Sequence, residues 1–196
     1  MSTWESYIKE YQNYLRLERG LSKNTIENYT FDIEKLVLFL HQHDIAVSPI
    51  TISEETIQQF IYEISSKVNA RSQSRVISGL KSFFNYLVFE DYRKETPLEL
   101  IEVPKTGRKL PDTLATEEID ALISAIDLST PEGERNKAML ETLYSCGLRV
   151  SELVGLKISD LFFEEGFIKI TGKGNKQRFV PVGGSTIKYI TSYLNL

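Results

Sequence analysis

At 196 residues the chain has room for one domain or two small ones, and 41% hydrophobic with 26% charged residues is enough to build real cores. No apolar run approaches the roughly 20 residues that span a bilayer, and the first residues lack the basic-then-apolar pattern of a secretion signal, so a cytoplasmic protein off the membrane is expected. The single cysteine, Cys146, excludes an internal disulfide, and its apolar neighbours Leu143 and Leu148 make it a candidate buried hydrophobe. His41 and His43 have no third histidine or cysteine beside them, so no metal site is expected.

The elements follow in chain order. Trp4, Tyr7, Ile8, Tyr11 and Leu15 have helical spacing, and Gly20 ends that segment. Ser22 or Asn24 caps a second helix with the stripe Ile26, Tyr29, Ile33, Leu36, Val37, Leu40. Ser53 caps a third, with Glu54 and Glu55 at the positive end of its dipole and Ile57, Phe60, Ile61 and Ile64 on one face. Ser72 or Ser74 opens a fourth carrying Val76, Leu80, Phe83, Phe84, Leu87 and Val88. Four helices with short connections make a compact all-α unit.

Residues 97–112 differ: Pro97, Pro104 and Pro111 bracket Lys105, Gly107, Arg108 and Lys109, the composition of a linker. Beyond it, Thr116 caps a helix bearing Ile119, Leu122, Ile123 and Ile126, and another follows Pro131 up to Gly147. Val150 to Leu156 gives a short helix. The period then changes to two. Phe167, Ile168, Ile170 and Phe179, Val180, Val182 flank Gly172–Asn175 as a β-hairpin, and Gly183–Ser185 opens a last helix. The expected architecture is two-domain and mainly α: residues 1–103, a linker at 104–112, and residues 113–196 with mixed α and β structure.

The net charge of −4 hides its distribution. Residues 1–64 carry 5 basic and 10 acidic groups, residues 65–111 carry 9 and 5, residues 112–165 carry 4 and 12, and residues 166–196 carry 5 and 0. Two basic blocks set between acidic ones read as local footprints for a polyanion. In the first block Lys67, Arg71 and Arg75 are spaced by four, Lys81 follows, and all four are candidate DNA contacts, as are Lys105, Arg108 and Lys109 of the strap. The strap is expected to cross the DNA backbone so that the two domains clamp the duplex. In the second block Lys173 sits between two glycines with Lys176 and Arg178 behind it. Arg149 lies where a glycine break meets a helix, and its fork of donors suits two phosphate oxygens. Local sequence leaves open that Arg149 simply pairs with Glu152, or that the cationic hairpin is a solvated turn.

Five passages carry a family resemblance. They are Leu17–Thr25 with Tyr29 and Asp32; Ser78–Leu87; Pro104–Leu114; Asn136–Tyr144 running into Gly147–Leu156; and Gly172–Lys176 with Val180–Val182. Together they resemble the tyrosine recombinase (phage integrase) family, Xer type, nearer its XerD-like than its XerC-like branch. The resemblance implies a four-helix SAM-like core-binding domain followed by the first part of an α+β catalytic domain with a β-hairpin. It implies DNA cleavage and rejoining through a 3′-phosphotyrosyl intermediate at a specific duplex site, as in chromosome dimer resolution or integration. A second Xer-type recombinase and a tetrameric synapse are the implied partners, and neither ATP nor a metal cofactor is implied. By motif, Arg149 matches the first arginine that holds the phosphoryl oxygens, and Lys173 the hairpin lysine that protonates the leaving 5′ oxygen.

The family also uses a His-x-x-Arg pair, a further His or Trp and a tyrosine nucleophile, all placed beyond residue 196. Tyr189 and Tyr193 precede that region and read as packing or surface residues. The expectation is therefore that these 196 residues bind DNA without cleaving it. The alternative is a non-catalytic DNA-binding or decoy protein on the same fold, which would have no use for Lys173.

Overall fold

The computed structural model describes residues 3–104, 107 and 110–195. It divides into two compact units, Met1–Lys109 and Leu110–Leu196.

The first unit is four helices: α1 (Trp4–Leu17), α2 (Lys23–Gln42), α3 (Glu54–Lys67) and α4 (Ala70–Phe89). Ser22 and Ser53 cap α2 and α3 by accepting the backbone N–H groups of Thr25 and Thr56. The fourth helix starts earlier than Ser72, because Asn69 Oδ1 accepts the Ser72 N–H at 2.9 Å and so fixes the start at Ala70. Val68 is extended between α3 and α4, so Lys67 ends one helix while Arg71 and Arg75 ride on the next. The expected single stripe of three cations is thereby broken. The core is aromatic and aliphatic: Tyr11, Leu15, Ile33, Leu36, Ile57, Ile77, Leu80, Phe83, Phe84 and Leu87 are fully enclosed. The stretch after α4 also belongs to it, since Leu98 and Ile101 are buried and Lys81 Nζ donates to the Ile101 carbonyl at 2.8 Å.

A carboxylate sits in this core. Asp32 on α2 is completely enclosed, and Arg75 on α4 forks onto it with 2.8 and 2.7 Å hydrogen bonds. Burial pushes the Asp32 carboxyl up, while Arg75 and then Lys35 pull against that shift. Gly79, one turn beyond Arg75, makes the room: a Cβ there would lie 2.5 Å from Asp32 Oδ2 and 2.9 Å from its Cβ.

The second unit begins with α5 (Thr116–Ser124) and α6 (Pro131–Cys146). Thr116 is not the cap of α5; Ala115 precedes the helix, and the Glu118 carboxylate reaches back to accept the Ala115 N–H at 2.7 Å. Thr130 caps α6 with Pro131 in its first turn. The short α7 (Val150–Val154) ends two residues before Leu156. Three antiparallel strands follow in the order β1 (Leu161–Phe162), β2 (Phe167–Thr171) and β3 (Gln177–Pro181). Two were expected; β1 has only two residues, too few for a period to be read. Gly174 and Asn175 both take positive φ in the β2–β3 turn. The last helix, α8 (Gly184–Leu194), packs against α6, while Cys146, Leu148, Ile168, Ile170 and Val182 form a small core under the sheet. Tyr189 and Tyr193 both lie on α8, the first with Lys137 Nζ 4.6 Å from its ring centre. The fold is thus mainly α, with a helical bundle followed by a mixed α+β unit.

Gly79→Ala tests the close approach of α2 and α4. Alanine is the better helix former by about 1 kcal/mol, yet its methyl must displace Asp32 from an enclosed site. Chemical denaturation is expected to show a net loss of about 1–3 kcal/mol, the usual cost of overpacking.

Candidate nucleic-acid and phosphate site

Arg149 is placed by the end of α6. Gly147 adopts φ 58° and ψ 40°, and the N–H groups of Gly147 and Leu148 return to the carbonyls of Tyr144 and Leu143. This Schellman closure, with Leu148 buried, turns the chain out of the helix at a fixed angle. Arg149 then precedes α7 in an extended conformation.

Its side chain is 75% exposed, and Nη1 donates to Glu152 Oε1 at 3.0 Å. Glu152 Oε2 accepts the Arg149 backbone N–H at 2.9 Å, so the carboxylate grips both ends of the residue. The pairing that local sequence allowed is therefore present. It engages only Nη1 among the described hydrogen bonds and leaves most of the guanidinium in solvent.

Glu152 does more than pair with Arg149. Its side chain is only 3% exposed, and Arg178 on β3 forks onto it, with Nη1 2.7 Å from Oε1 and Nη2 2.9 Å from Oε2. Four hydrogen bonds thus converge on one carboxylate. The Arg178 guanidinium, then the Arg149 N–H, hold the Glu152 carboxyl down at about 2. The hairpin turn closes on the same point. A Cβ on Gly172 would lie 3.1 Å from Glu152 Oε1 and 3.5 Å from Arg178 Nη1, so a side chain there would press on the carboxylate by a few tenths of an ångström. Lys173 follows immediately in a short 3-10 turn, Lys173–Asn175; its side chain lies outside the described structure. Lys176, on the same turn, is exposed.

The remaining candidate cations divide sharply. Arg178, expected as a DNA contact, has both terminal nitrogens committed to Glu152. Arg75, also expected as a DNA contact, has both of its own on Asp32 and is 44% exposed. Lys81 is turned onto the Ile101 carbonyl. Lys67 pairs with Glu63 at 2.6 Å, sharing that carboxylate with His43. Each has an acceptor within its own unit; for Arg75 and Arg178 it is an enclosed carboxylate met in the fork geometry, and for Lys67 a partly exposed neighbour one turn back. Arg71 differs: it is exposed in the first turn of α4, at the positive end of the dipole, with no acidic partner among the described residues. Lys105, Arg108 and Lys109 lie outside the described residues.

Glu152 and Gly172 are the residues that sequence reasoning undervalued. The signal for Glu152 was its place three residues after Arg149, where a carboxylate can reach back to the preceding N–H. Nothing local announced that Arg178, 26 residues on, would meet the same carboxylate.

Comparison with known proteins gives a consistent picture. Residues 112–196 match the profile of the phage integrase family, and residues 8–91 that of the phage integrase N-terminal SAM-like domain. Over 192 residues the chain is 39% identical to the tyrosine recombinase XerD of Staphylococcus haemolyticus, covering 97% of this chain and 65% of that protein. It is 40% identical over 192 residues to the XerD of Oceanobacillus iheyensis, with 97% and 64% covered. The chain therefore spans just under two thirds of these relatives' length. A crystal structure of a lambda integrase tetramer bound to a Holliday junction superposes with a TM-score of 0.75 at 18% identity, covering 98% of this chain and 56% of that one. A XerH recombinase bound to a palindromic difH substrate gives 0.68 at 21%, covering 96% and 57%. At these identities the likeness concerns the fold.

The depressed Glu152 carboxyl has a pH consequence. A folded value near 2 against an ordinary 4.5 means that the unfolded chain takes up the proton first as pH falls. The stabilisation is complete above about pH 4.5 and is lost progressively toward pH 2. The protection factors of the amides of residues 167–181, taken relative to the intrinsic exchange rate at each pH, are expected to fall across that window, and Glu152→Gln to flatten the fall.

Proposed function

We propose that this chain, which belongs to the phage integrase family of tyrosine recombinases, carries the DNA-binding unit and the first part of the catalytic unit of a site-specific DNA recombinase. The observation that carries this reading is the junction at Glu152. There an exposed arginine and β3 of the hairpin that carries the Lys173 turn, far apart in sequence, are fastened to one carboxylate.

In this reading a DNA phosphodiester lies against Arg149, whose unpaired N–H groups stabilise charge on the non-bridging oxygens as it develops. Glu152 holds that guanidinium ready, so little reorganisation accompanies the reaction. A tyrosine attacks phosphorus, forming a 3′-phosphotyrosyl bond and breaking the bond to the 5′ oxygen. Lys173 gives that oxygen a proton, and a free 5′-hydroxyl leaves. Attack by the hydroxyl of a partner strand reverses the sequence. The covalent bond conserves the energy of the phosphodiester, so neither nucleotide triphosphate nor metal ion is required. The family resemblance places the nucleophile and the remaining charge-stabilising groups beyond residue 196. The lambda integrase tetramer on a Holliday junction supports assembly of several protomers on DNA. A second Xer-type recombinase as partner is what the family resemblance implies. Arg71 on α4 and Lys176 on the hairpin turn are the proposed backbone contacts, with Lys105, Arg108 and Lys109 of the proline-bracketed segment.

A duplex carrying a nick that lets the cleaved fragment escape tests this directly. The 196-residue chain is expected to form no covalent adduct, and the chain bearing its relatives' C-terminal continuation to form one without metal or ATP. In the longer protein Arg149→Ala is expected to lower adduct formation by about 10²–10³. Lys173→Ala also slows it, but a 5′-thio leaving group restores the rate, because a thiolate departs without a proton. Equal rescue of both variants, or of neither, contradicts the assigned roles.

A further inference from the structure

Arg178 was expected at a DNA surface, but the strand register points it the other way. In the β2–β3 hairpin Ile168 pairs with Val180 and Ile170 with Arg178. Directly paired residues of antiparallel strands share a face. Ile168 and Ile170 are buried, so Arg178 shares their face of the sheet, at its rim with the side chain 41% exposed, and Phe179, next to it, is 65% exposed on the other face. A cation on the core face needs an internal acceptor, and Glu152 supplies both of its oxygens.

The electrostatic consequence concerns Arg149. An enclosed carboxylate must be neutralised, and two arginines are available to do it. With Arg178 seated in the fork geometry on the core side, Arg149 spends one N–H and keeps the rest. Without Arg178, the same carboxylate would be left to Arg149 alone. Its guanidinium would have to turn inward to compensate a buried charge, at the expense of an external phosphate. The hairpin turn is tied to the same joint, since Gly172 has only van der Waals room beside Glu152 Oε1 and Arg178 Nη1.

We propose that Arg178 is a positioning residue: by neutralising Glu152 from the core face, it keeps Arg149 free to take a DNA phosphate and does not itself contact DNA. This rests on the phosphate role given to Arg149 above, and the test separates the two.

Binding of a fluorescent duplex to the 196-residue chain is measured against salt concentration for the wild type and for Arg149→Ala, Arg178→Gln, the double variant, and Glu152→Gln with Arg178→Gln. A melting curve confirms that each is folded. Each lost phosphate contact lowers the log–log salt slope by about 0.9. Arg149→Ala is expected to lower the slope by that amount, Arg178→Gln by the same amount, and the double variant by no more than either. Removing the buried charge together with its partner, in Glu152→Gln with Arg178→Gln, is expected to return the slope to the wild-type value. Neutralising Arg178 alone can prevent folding; that paired variant then decides the matter, since the positioning role predicts recovery and a DNA contact predicts a persistent deficit. Additive losses of about 1.8 in the double variant would make Arg178 a phosphate ligand and overturn the proposal. A slope unaffected by Arg178→Gln in a folded protein would reduce it to a structural strut, and also overturns it. If Arg149→Ala leaves the slope untouched, the phosphate reading of Arg149 fails first and takes this proposal with it.

Discussion

A carboxylate enclosed at the edge of a small core has to be met by cations, and how Glu152 is met determines the rest of the second unit's site. Its two oxygens receive Arg178 from the sheet and both the N–H and the guanidinium of Arg149 from the start of α7. A single side chain thereby fixes the distance between a helix start and a hairpin whose strands begin some twenty residues later. Surface ion pairs hold such elements poorly, because solvent screens them and side-chain entropy opposes them. An enclosed carboxylate accepting four hydrogen bonds is screened less, and the fork geometry of arginine favours one orientation.

The first unit uses the same device for a different end. Asp32 is enclosed, Arg75 forks onto it, and Gly79 leaves out the side chain that would collide with it. In the second unit Gly172 takes the part of Gly79, approaching the carboxylate and arginine pair without a Cβ. In both, an arginine that read as a surface cation serves one buried acid beside a glycine. The difference lies in what remains exposed. Arg75 uses both terminal nitrogens inside its own unit, whereas Arg149, relieved by Arg178, keeps donors in solvent. The first arrangement fastens α2 to α4. The second fastens the framework and still presents a cation.

Much of the fold was legible because its signals are local. The stripes of α2 and α3, the caps Ser22 and Ser53, the glycine stop at Gly147 and the period-two strands all act within a few residues. The start of α4 was misplaced because Asn69, Ser72 and Ser74 are all competent caps, and only packing chooses among them. The spacing of four that lined Lys67 up with Arg71 and Arg75 misled separately, because extended Val68 divides them between α3 and α4. The site was half legible. Arg149 and the Lys173 turn stood out by their glycines. The acceptors of Arg75 and Arg178 did not, because they lie 43 and 26 residues away and arginine looks the same in sequence whether it faces DNA or a buried acid. The alternation Arg178–Val180 did carry the answer, since the two share a parity and Val180 faces its buried partner Ile168.

The central claim is that Glu152 remains a charged, shared acceptor for Arg149 and Arg178. A carbon-detected NMR titration of the Glu152 side-chain carboxyl, with the Arg149 backbone amide followed in parallel, tests it most directly. The account predicts a carboxylate that stays ionised down to about pH 2, with the Arg149 amide shifting at the same midpoint. A midpoint near the ordinary 4.5, or an Arg149 amide indifferent to it, would contradict the account.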